Sequence, residues 1–472
     1  MSYTSRVLII AAIAAISALP LRAAAAQLPA GTTPPTAEVL AARIDSVVRA
    51  DILPRGFPSV SIMITRGGRP VLERTWGVAN VTTGEKAGPT TTYNIGSVAK
   101  QFTAALVLKL VDGGKLSLTD SVGRHLQGLP PEWNAIRIEQ LLNHTSGLAG
   151  GILVPGGDTA NVPGDSLIAL AAGAMLNSQP GTVHAYSNTG YMLLGVLIEK
   201  MHGKPYGVVL RNEITRPLGL TSLGWCGGMA GDRAAAGYIR TSDGKAMPRG
   251  DVHPSQGLGA SAICSTAGDI ERWNQALHGG SVLSAASYAA MTTPRGAATG
   301  KYGFGLVPRK SPWGTPAIVH DGEDDGFSSH NAWFPADSLS VTLLYNALPR
   351  HEVGMAEFIG TIAAGGTPRP IRPMPVIELP VAATQGPGRP KFVGAYEIGV
   401  GRVIMVTFEE GKLYVTLPGG DPQQLFLQSG TTYGMGKPES ATTITFREDA
   451  NGVVTGFTVR SDEGDRELRK VK

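Results

Sequence analysis

The sequence predicts an α+β protein: an antiparallel sheet flanked by helices, followed by a small antiparallel β-barrel or meander. Three observations carry this. Alternating apolar segments near residue 60 are followed by helix-period segments, and strand-like segments return near residues 316 and 340. Strands separated by helices, without regular βα alternation, indicate a sheet closed by segments distant in sequence. A proline-rich break then precedes a tail of period-two alternation.

In chain order, Arg6, the apolar run Val7 to Leu19 and the small residues Ala24-Ala25-Ala26 before Gln27 have the layout of a cleaved export signal, so 1–26 is expected to be removed. A run this short fits a spanning helix poorly, and no later apolar run reaches spanning length. Ala37 to Val48 carries Leu40, Ile44, Val47 and Val48 at helical spacing. Ser59 to Thr65 and Pro70 to Trp76 alternate around Arg66-Gly67-Gly68, a hairpin. Helices are expected from about Ser97 to Asp112, stopping at Gly113-Gly114, and after Tyr186-Ser187-Asn188, with Gly203 just past the end. Pro316 to His320 and Ser340 to Tyr345 read as buried strands.

The expected domains are 38–362, a linker at 363–390 with seven prolines from Pro368 to Pro390, and a β domain at 391–472. In the last segment R-V-I-M-V-T-F, K-L-Y-V-T-L, T-T-I-T-F and G-F-T-V alternate. The turns E-E-G-K, P-G-G-D, D-A-N-G and D-E-G-D separate these strands. The segment has no histidine or cysteine, which points to an accessory role.

A net charge of +4 in 472 residues is too weak to indicate nucleic acid or an anionic membrane. Loss of 1–26 would remove Arg6 and Arg22 and no acid, leaving +2. The only cysteines, Cys226 and Cys264, are expected in an oxidising compartment. They read either as a disulfide, contributing on the order of 4 kcal/mol, or as two separate buried thiols. Two cysteines without paired histidines build no zinc site, so neither metal nor cofactor is expected. The expected partner is a small-molecule or peptide substrate.

The pattern S-x-x-K occurs at Ser97/Lys100 and again at Ser242/Lys245. The second lies in T-S-D-G-K-A, a turn sequence. The first opens an apolar-periodic helix, where positions i and i+3 share a face, so hydroxyl and amine can meet. A neighbouring amine can take a serine proton, and helix-start N–H groups can hold an oxyanion. The same tetrapeptide also describes an N-capping serine with a solvated lysine. No G-x-S-x-G, P-loop or dinucleotide fingerprint is present.

Y-N-I-G-S-V-A-K-Q-F-T-A (93–104), L-L-N-H-T-S-G-L (141–148), P-G-T-V-H-A-Y-S-N-T-G-Y-M-L-L-G (180–195), S-T-A-G-D-I-E-R-W (265–273) and H-D-G-E-D-D-G-F-S-S (320–329) run in one order. Together they resemble the serine β-lactamase and penicillin-binding-protein superfamily, on its class C, D-alanyl-D-alanine carboxypeptidase and family VIII esterase side. The resemblance implies that Ser97 is acylated, Lys100 accepts its proton, Tyr186 relays protons to the leaving group and Asn188 binds substrate. The division of labour between Lys100 and Tyr186 stays open.

The third motif departs from the Lys-Ser/Thr-Gly of β-lactamases, which is absent; His320-Asp321-Gly322 stands in its place. The resemblance makes His320 and Gly322 substrate-side residues and the Glu323 N–H the second oxyanion donor, beside the Ser97 N–H. Asp321, Glu323, Asp324 and Asp325 put four carboxylates within five residues of that edge, an expected handicap for anionic β-lactams relative to neutral esters. An acidic turn pointing into solvent is the other reading. The expectation is thus an exported serine hydrolase acting on esters or amides; a true β-lactamase and a non-catalytic binder of cell-wall peptides are the alternatives.

Overall fold

The computed structural model describes residues 33–148, 150, 160–172, 176–228, 233–240, 245–250, 252–324, 326–348, 354–370, 391–399, 402–409, 412–416, 423–449, 452–461 and 464–470. The export segment, Ser242, Asp325, the proline-rich 371–390 and most of the tail's turns lie outside these residues.

Helix α1 (Ala37–Val47) starts at Thr36, whose hydroxyl accepts from the Val39 N–H, and it buries Leu40 and Ile44. Strands β1 (Ser59–Arg66) and β2 (Arg69–Asn80) form the expected hairpin, with β3 (Glu85–Lys86) on its edge. After β4 (Tyr93–Asn94) a 3-10 turn, Gly96–Ala99, leads into α2 (Lys100–Asp112). Ser97 thus sits one tight turn ahead of the α-helix. Next come α3 (Ile138–Leu142), α4 (Gly164–Ala172), α5 (Asn188–His202) and α6 (Tyr206–Leu210). Gly203 closes α5 at φ +61°, a left-handed cap that a side chain would strain.

Short strands β5 (Gly224–Trp225), β6 (Tyr238–Arg240), β7 (Ala246–Pro248) and β8 (Ile263–Ser265) precede α7 (Ala267–His278) and α8 (Ala285–Thr292). Then follow β9 (Val307–Lys310), β10 (Pro316–Asp324), β11 (Phe327–Phe334), β12 (Leu339–Tyr345), β13 (Ala347–Leu348) and α9 (Met355–Ala363). The main sheet has seven strands in the order β3-β2-β1-β12-β11-β10-β9. Its closure is the antiparallel pairing of β1 with β12, Val60 opposite Tyr345 and Arg66 opposite Leu339.

The two faces of this sheet belong to two cores. Ala317 and Val319 of β10 and Val341 and Leu343 of β12 pack with α1 and α9. Ile318 of β10 and Leu344 of β12 pack with α2, α5 and α7 instead. Period-two side-chain alternation therefore assigns each β10 residue a face: odd numbers toward α1 and α9, even numbers toward α2.

The second compact unit is a closed eight-stranded antiparallel barrel, β14 (Gly394–Gly399), β15 (Arg402–Glu409), β16 (Lys412–Thr416), β17 (Gln423–Ser429), β18 (Thr432–Met435), β19 (Thr443–Glu448), β20 (Val454–Ser461) and β21 (Gly464–Lys470). Tyr396 pairs with Lys470 to close it. Phe392, Tyr396, Val406, Val415, Phe446 and Phe457 fill its interior, so the barrel is a packed core. Between the sequence's two alternatives, barrel and open meander, the chain adopts the barrel.

Candidate active site

The turn that carries Ser97 is held from two sides. The Ile95 N–H donates to the Ile263 carbonyl of β8 at 2.9 Å, and the Gly96 N–H donates to Asn94 Oδ1 at 2.9 Å. Gly96 has φ +52°, and a β-carbon there would fall 2.6 Å from the Glu323 nitrogen. Across the gap, a β-carbon on Gly322 would lie 2.2 Å from the Ile95 carbonyl oxygen. Both glycines are required because the backbone of β10 runs directly against the Ser97 turn.

Within that turn Lys100 Nζ lies 2.9 Å from Ser97 Oγ and donates to the Ala260 carbonyl at 2.8 Å. Ser97 is half-buried, whereas Lys100 is fully buried. Burial pushes the Lys100 amine down to about 7, and the Asp324 carboxylate opposes that shift. A nearly neutral amine against a serine hydroxyl can accept its proton.

Tyr186 lies just ahead of α5, with its ring centroid 4.9 Å from Lys100 Nζ and the residue 41% exposed, so it borders both the amine and solvent. Ser187 caps α5, its hydroxyl accepting from the Gly190 N–H at 3.2 Å. Asn188 donates its backbone N–H to the Gly150 carbonyl at 2.8 Å, and its buried side-chain Oδ1 has no hydrogen-bond partner among the described residues.

His320 is 5% exposed, and both its ring nitrogens are engaged. Nδ1 lies 2.7 Å from the Asp321 carbonyl, which can only accept, so the proton is assigned to Nδ1. Nε2 lies 2.7 Å from the Tyr302 hydroxyl.

The acidic cluster needs correction. Asp321 to Asp324 do not follow a strand ending at His320; they continue β10, which pairs with β11 through Asp324 opposite Phe327. Alternation then separates the acids. Asp321 faces away from Ser97, and its Oδ1 is hydrogen-bonded with His330 Nδ1 at 2.8 Å. Asp324 faces the turn and accepts from Asn94 Nδ2 at 3.0 Å. Glu323 is half-buried on the Asp321 side, although its backbone abuts Gly96. Asp325, like the serine of the second S-x-x-K, lies outside the described residues.

Several residues at the site carried no independent signal. Tyr191 and Tyr302 are fully or almost fully buried, and burial raises both phenols well above their ordinary range. The His144 ring lies 4.2 Å from Tyr186, 4.5 Å from Tyr302 and 5.1 Å from Tyr191 by centroids. His144 stands in L-L-N-H-T-S-G-L, which points to a family and not to a role.

Cys226 and Cys264 are joined by a disulfide. It ties β5 to β8, and Cys264 pairs directly opposite Asn94. Among the described residues, no group of three or more histidine, cysteine, aspartate or glutamate side chains is placed to hold a metal ion.

Comparison with known proteins places this geometry among relatives. Residues 40–364 match the family described as Beta-lactamase. Protein flp of Staphylococcus aureus is 33% identical over 184 residues, 38% of this chain and 37% of that protein, so the match spans little more than a third of that relative. Penicillin-binding protein 4* of Bacillus subtilis is 25% identical over 438 residues, 87% of this chain and 95% of that protein. The solved D-stereospecific amidohydrolase of Streptomyces sp. superposes with a TM-score of 0.56 at 27% identity, covering 66% of this chain and 95% of that one.

Proposed function

The chain belongs to the β-lactamase family, and on that premise we propose that it is an exported serine hydrolase that cleaves esters or amides through an acyl-enzyme on Ser97. The observation that carries this reading is the 2.9 Å contact between Ser97 Oγ and a buried Lys100 whose amine is pushed down to about 7.

In this mechanism neutral Lys100 spends one N–H on the Ala260 carbonyl, leaving its lone pair for the Ser97 proton. Ser97 Oγ attacks the substrate carbonyl carbon, and the oxyanion lies against the backbone N–H groups of Ser97 and Glu323. Tyr186, beside Lys100, passes a proton to the departing alkoxide or amine, so that the acyl-enzyme forms as the leaving group departs neutral. Asn188 holds the acyl portion through its Oδ1 and its amide. A water then repeats the attack on the ester and returns Ser97. Export rests on the sequence of residues 1–26, and among the described residues no helix is long and apolar enough to cross a membrane.

Within the family, esters and D-amino-acid amides are the substrate classes this site favours. The third motif presents His320, with both ring nitrogens already engaged within the protein, where β-lactamases carry a fixed lysine cation, and the Streptomyces relative is a D-stereospecific amidohydrolase. A panel of p-nitrophenyl esters, D-amino-acid anilides and nitrocefin, read by turnover and by intact mass, tests the proposal. An acyl adduct on wild-type protein that disappears in Ser97→Ala is expected. Turnover that persists in Ser97→Ala would overturn it.

A further inference from the structure

His144 is one of three non-glycine residues described at positive φ, at +58°. Such a backbone is uncommon for any residue other than glycine, histidine being among the more tolerant, and it persists where the surroundings hold it. What holds it is the segment carrying Tyr186. The His144 carbonyl accepts from the Ala185 N–H at 2.9 Å, and His144 Nδ1 accepts from the Ser187 N–H at 3.1 Å. The two bonds come from one residue and grip the residues on either side of Tyr186. The imidazole itself packs on the phenol ring, 4.2 Å between centroids.

We propose that His144 is a positioning residue that clamps the 185–187 segment through its carbonyl and Nδ1, and so fixes the Tyr186 phenol for proton delivery to the leaving group. The inference rests on the acyl-enzyme reading above. Nδ1 must be an unprotonated acceptor, so the clamp requires the neutral Nε2–H tautomer. The surroundings favour it: His144 is 1% exposed, and Lys100, His184 and His320 are the titratable cations around it. Burial is the first cause that holds its pKa well below the usual histidine value. Tyr186, Tyr191 and Tyr302 complete the enclosure, and none supplies a carboxylate that would favour the cation.

Asparagine accepts the left-handed backbone and places an oxygen where Nδ1 stood; glycine accepts the backbone and places nothing there. His144→Asn and His144→Gly therefore separate the hydrogen bond from the backbone conformation. A proton relay contributes about 10²–10⁴-fold, and chiefly where the leaving group is a poor one. On alkyl esters or anilides His144→Gly should lose on the order of 30-fold or more in kcat, with KM little changed, and His144→Asn should stay within about fivefold of wild type. On p-nitrophenyl esters, whose phenolate departs without a proton, His144→Gly should lose less than about fivefold. In a Tyr186→Phe background, His144→Gly should add almost nothing, because the two residues act as one unit.

An equal loss across leaving groups, or His144→Asn as impaired as His144→Gly, would overturn the clamp. So would wild-type behaviour of His144→Gly. If His144→Gly does not fold, His144→Gln, which fills the ring's space but carries its oxygen one bond too far, takes the same test. Absence of a Ser97 adduct in the wild type would instead overturn the hydrolase reading, and the clamp's catalytic role with it.

Discussion

The Lys100 amine is suspended between two oxygens, the Ser97 hydroxyl at 2.9 Å and the Ala260 carbonyl at 2.8 Å, in a position with no access to solvent. One of its partners is the presumed nucleophile and the other is main chain. The second fixes the first, because Ala260 lies just ahead of β8, the strand whose Ile263 carbonyl holds Ile95. Amine, nucleophile turn and β8 therefore move together or not at all.

This suspension sets a pH dependence in activity and stability. With the amine at about 7, kcat/KM on a neutral ester should rise through an acidic limb near pH 7 as Lys100 loses its proton. In the unfolded chain a lysine titrates near 10.4, so between about pH 7 and pH 10 the unfolded state binds the extra proton and stability rises with pH. The cost of burying the cation, on the order of a few kcal/mol, is fully present below pH 7. Lys100→Met should therefore abolish turnover while raising the melting temperature most at low pH, with the gap closing toward pH 10. Parallel melting curves for the two proteins from pH 6 to pH 10 would refute the buried neutral amine.

Asp324 supplies the opposing field. It is 6% exposed, bonded to Asn94, and its charge raises the Lys100 pKa against burial. Asp324→Asn keeps an oxygen for the Asn94 amide and removes the charge. The acidic limb of kcat/KM should move to lower pH, since the lysine cation loses its stabilising neighbour. A pH–rate profile on a neutral ester measures this; a limb that moves upward or stays fixed would separate Asp324 from the amine.

How far the sequence reached can be argued from these same residues. The hairpin, the strand pair distant in sequence and the helix after Tyr186 each had a strong local period, and each forms as read. Ser97, Lys100, Tyr186 and Asn188 came from short motifs, and the fold brings the first three within a few ångströms of one another. The acids at 321–324 misled because a run of like residues reads as one patch. Only the knowledge that β10 continues past His320 sends Asp321 to His330 and Asp324 to Asn94. Tyr302 and Ala260 could not be found at all, since a tyrosine 18 residues before the motif and a carbonyl in a glycine-rich loop reach the site only through tertiary folding.

The disulfide should matter to both stability and the site. Cys226–Cys264 closes a separation of 38 residues, for which chain entropy gives about 4 kcal/mol, a value that native-state relaxation reduces. Cys264 also lies opposite Asn94, which receives the Gly96 N–H at the nucleophile turn. The double variant Cys226→Ala/Cys264→Ala should melt several degrees lower and acylate Ser97 more slowly at temperatures where it is still folded. Calorimetry with stopped-flow acylation checks both; an unchanged melting temperature would mean that β5 and β8 hold without the bond.

Carboxylate discrimination should be set by Tyr302 and not by the acids first suspected. The Tyr302 hydroxyl is hydrogen-bonded with His320 Nε2 and holds the ring in place. It also occupies the nitrogen that would otherwise meet an anionic substrate. Tyr302→Phe keeps the ring packed beside His144 and removes the hydroxyl that lies against Nε2, so a substrate carboxylate can approach that nitrogen. The ratio of kcat/KM for benzylpenicillin to that for a neutral p-nitrophenyl ester should therefore rise in Tyr302→Phe. Asp321→Asn, which alters a carboxylate on the far face of β10, should leave that ratio unchanged while lowering stability by weakening the hydrogen bond with His330. A ratio that responds to Asp321→Asn but not to Tyr302→Phe would return the discrimination to the acidic residues.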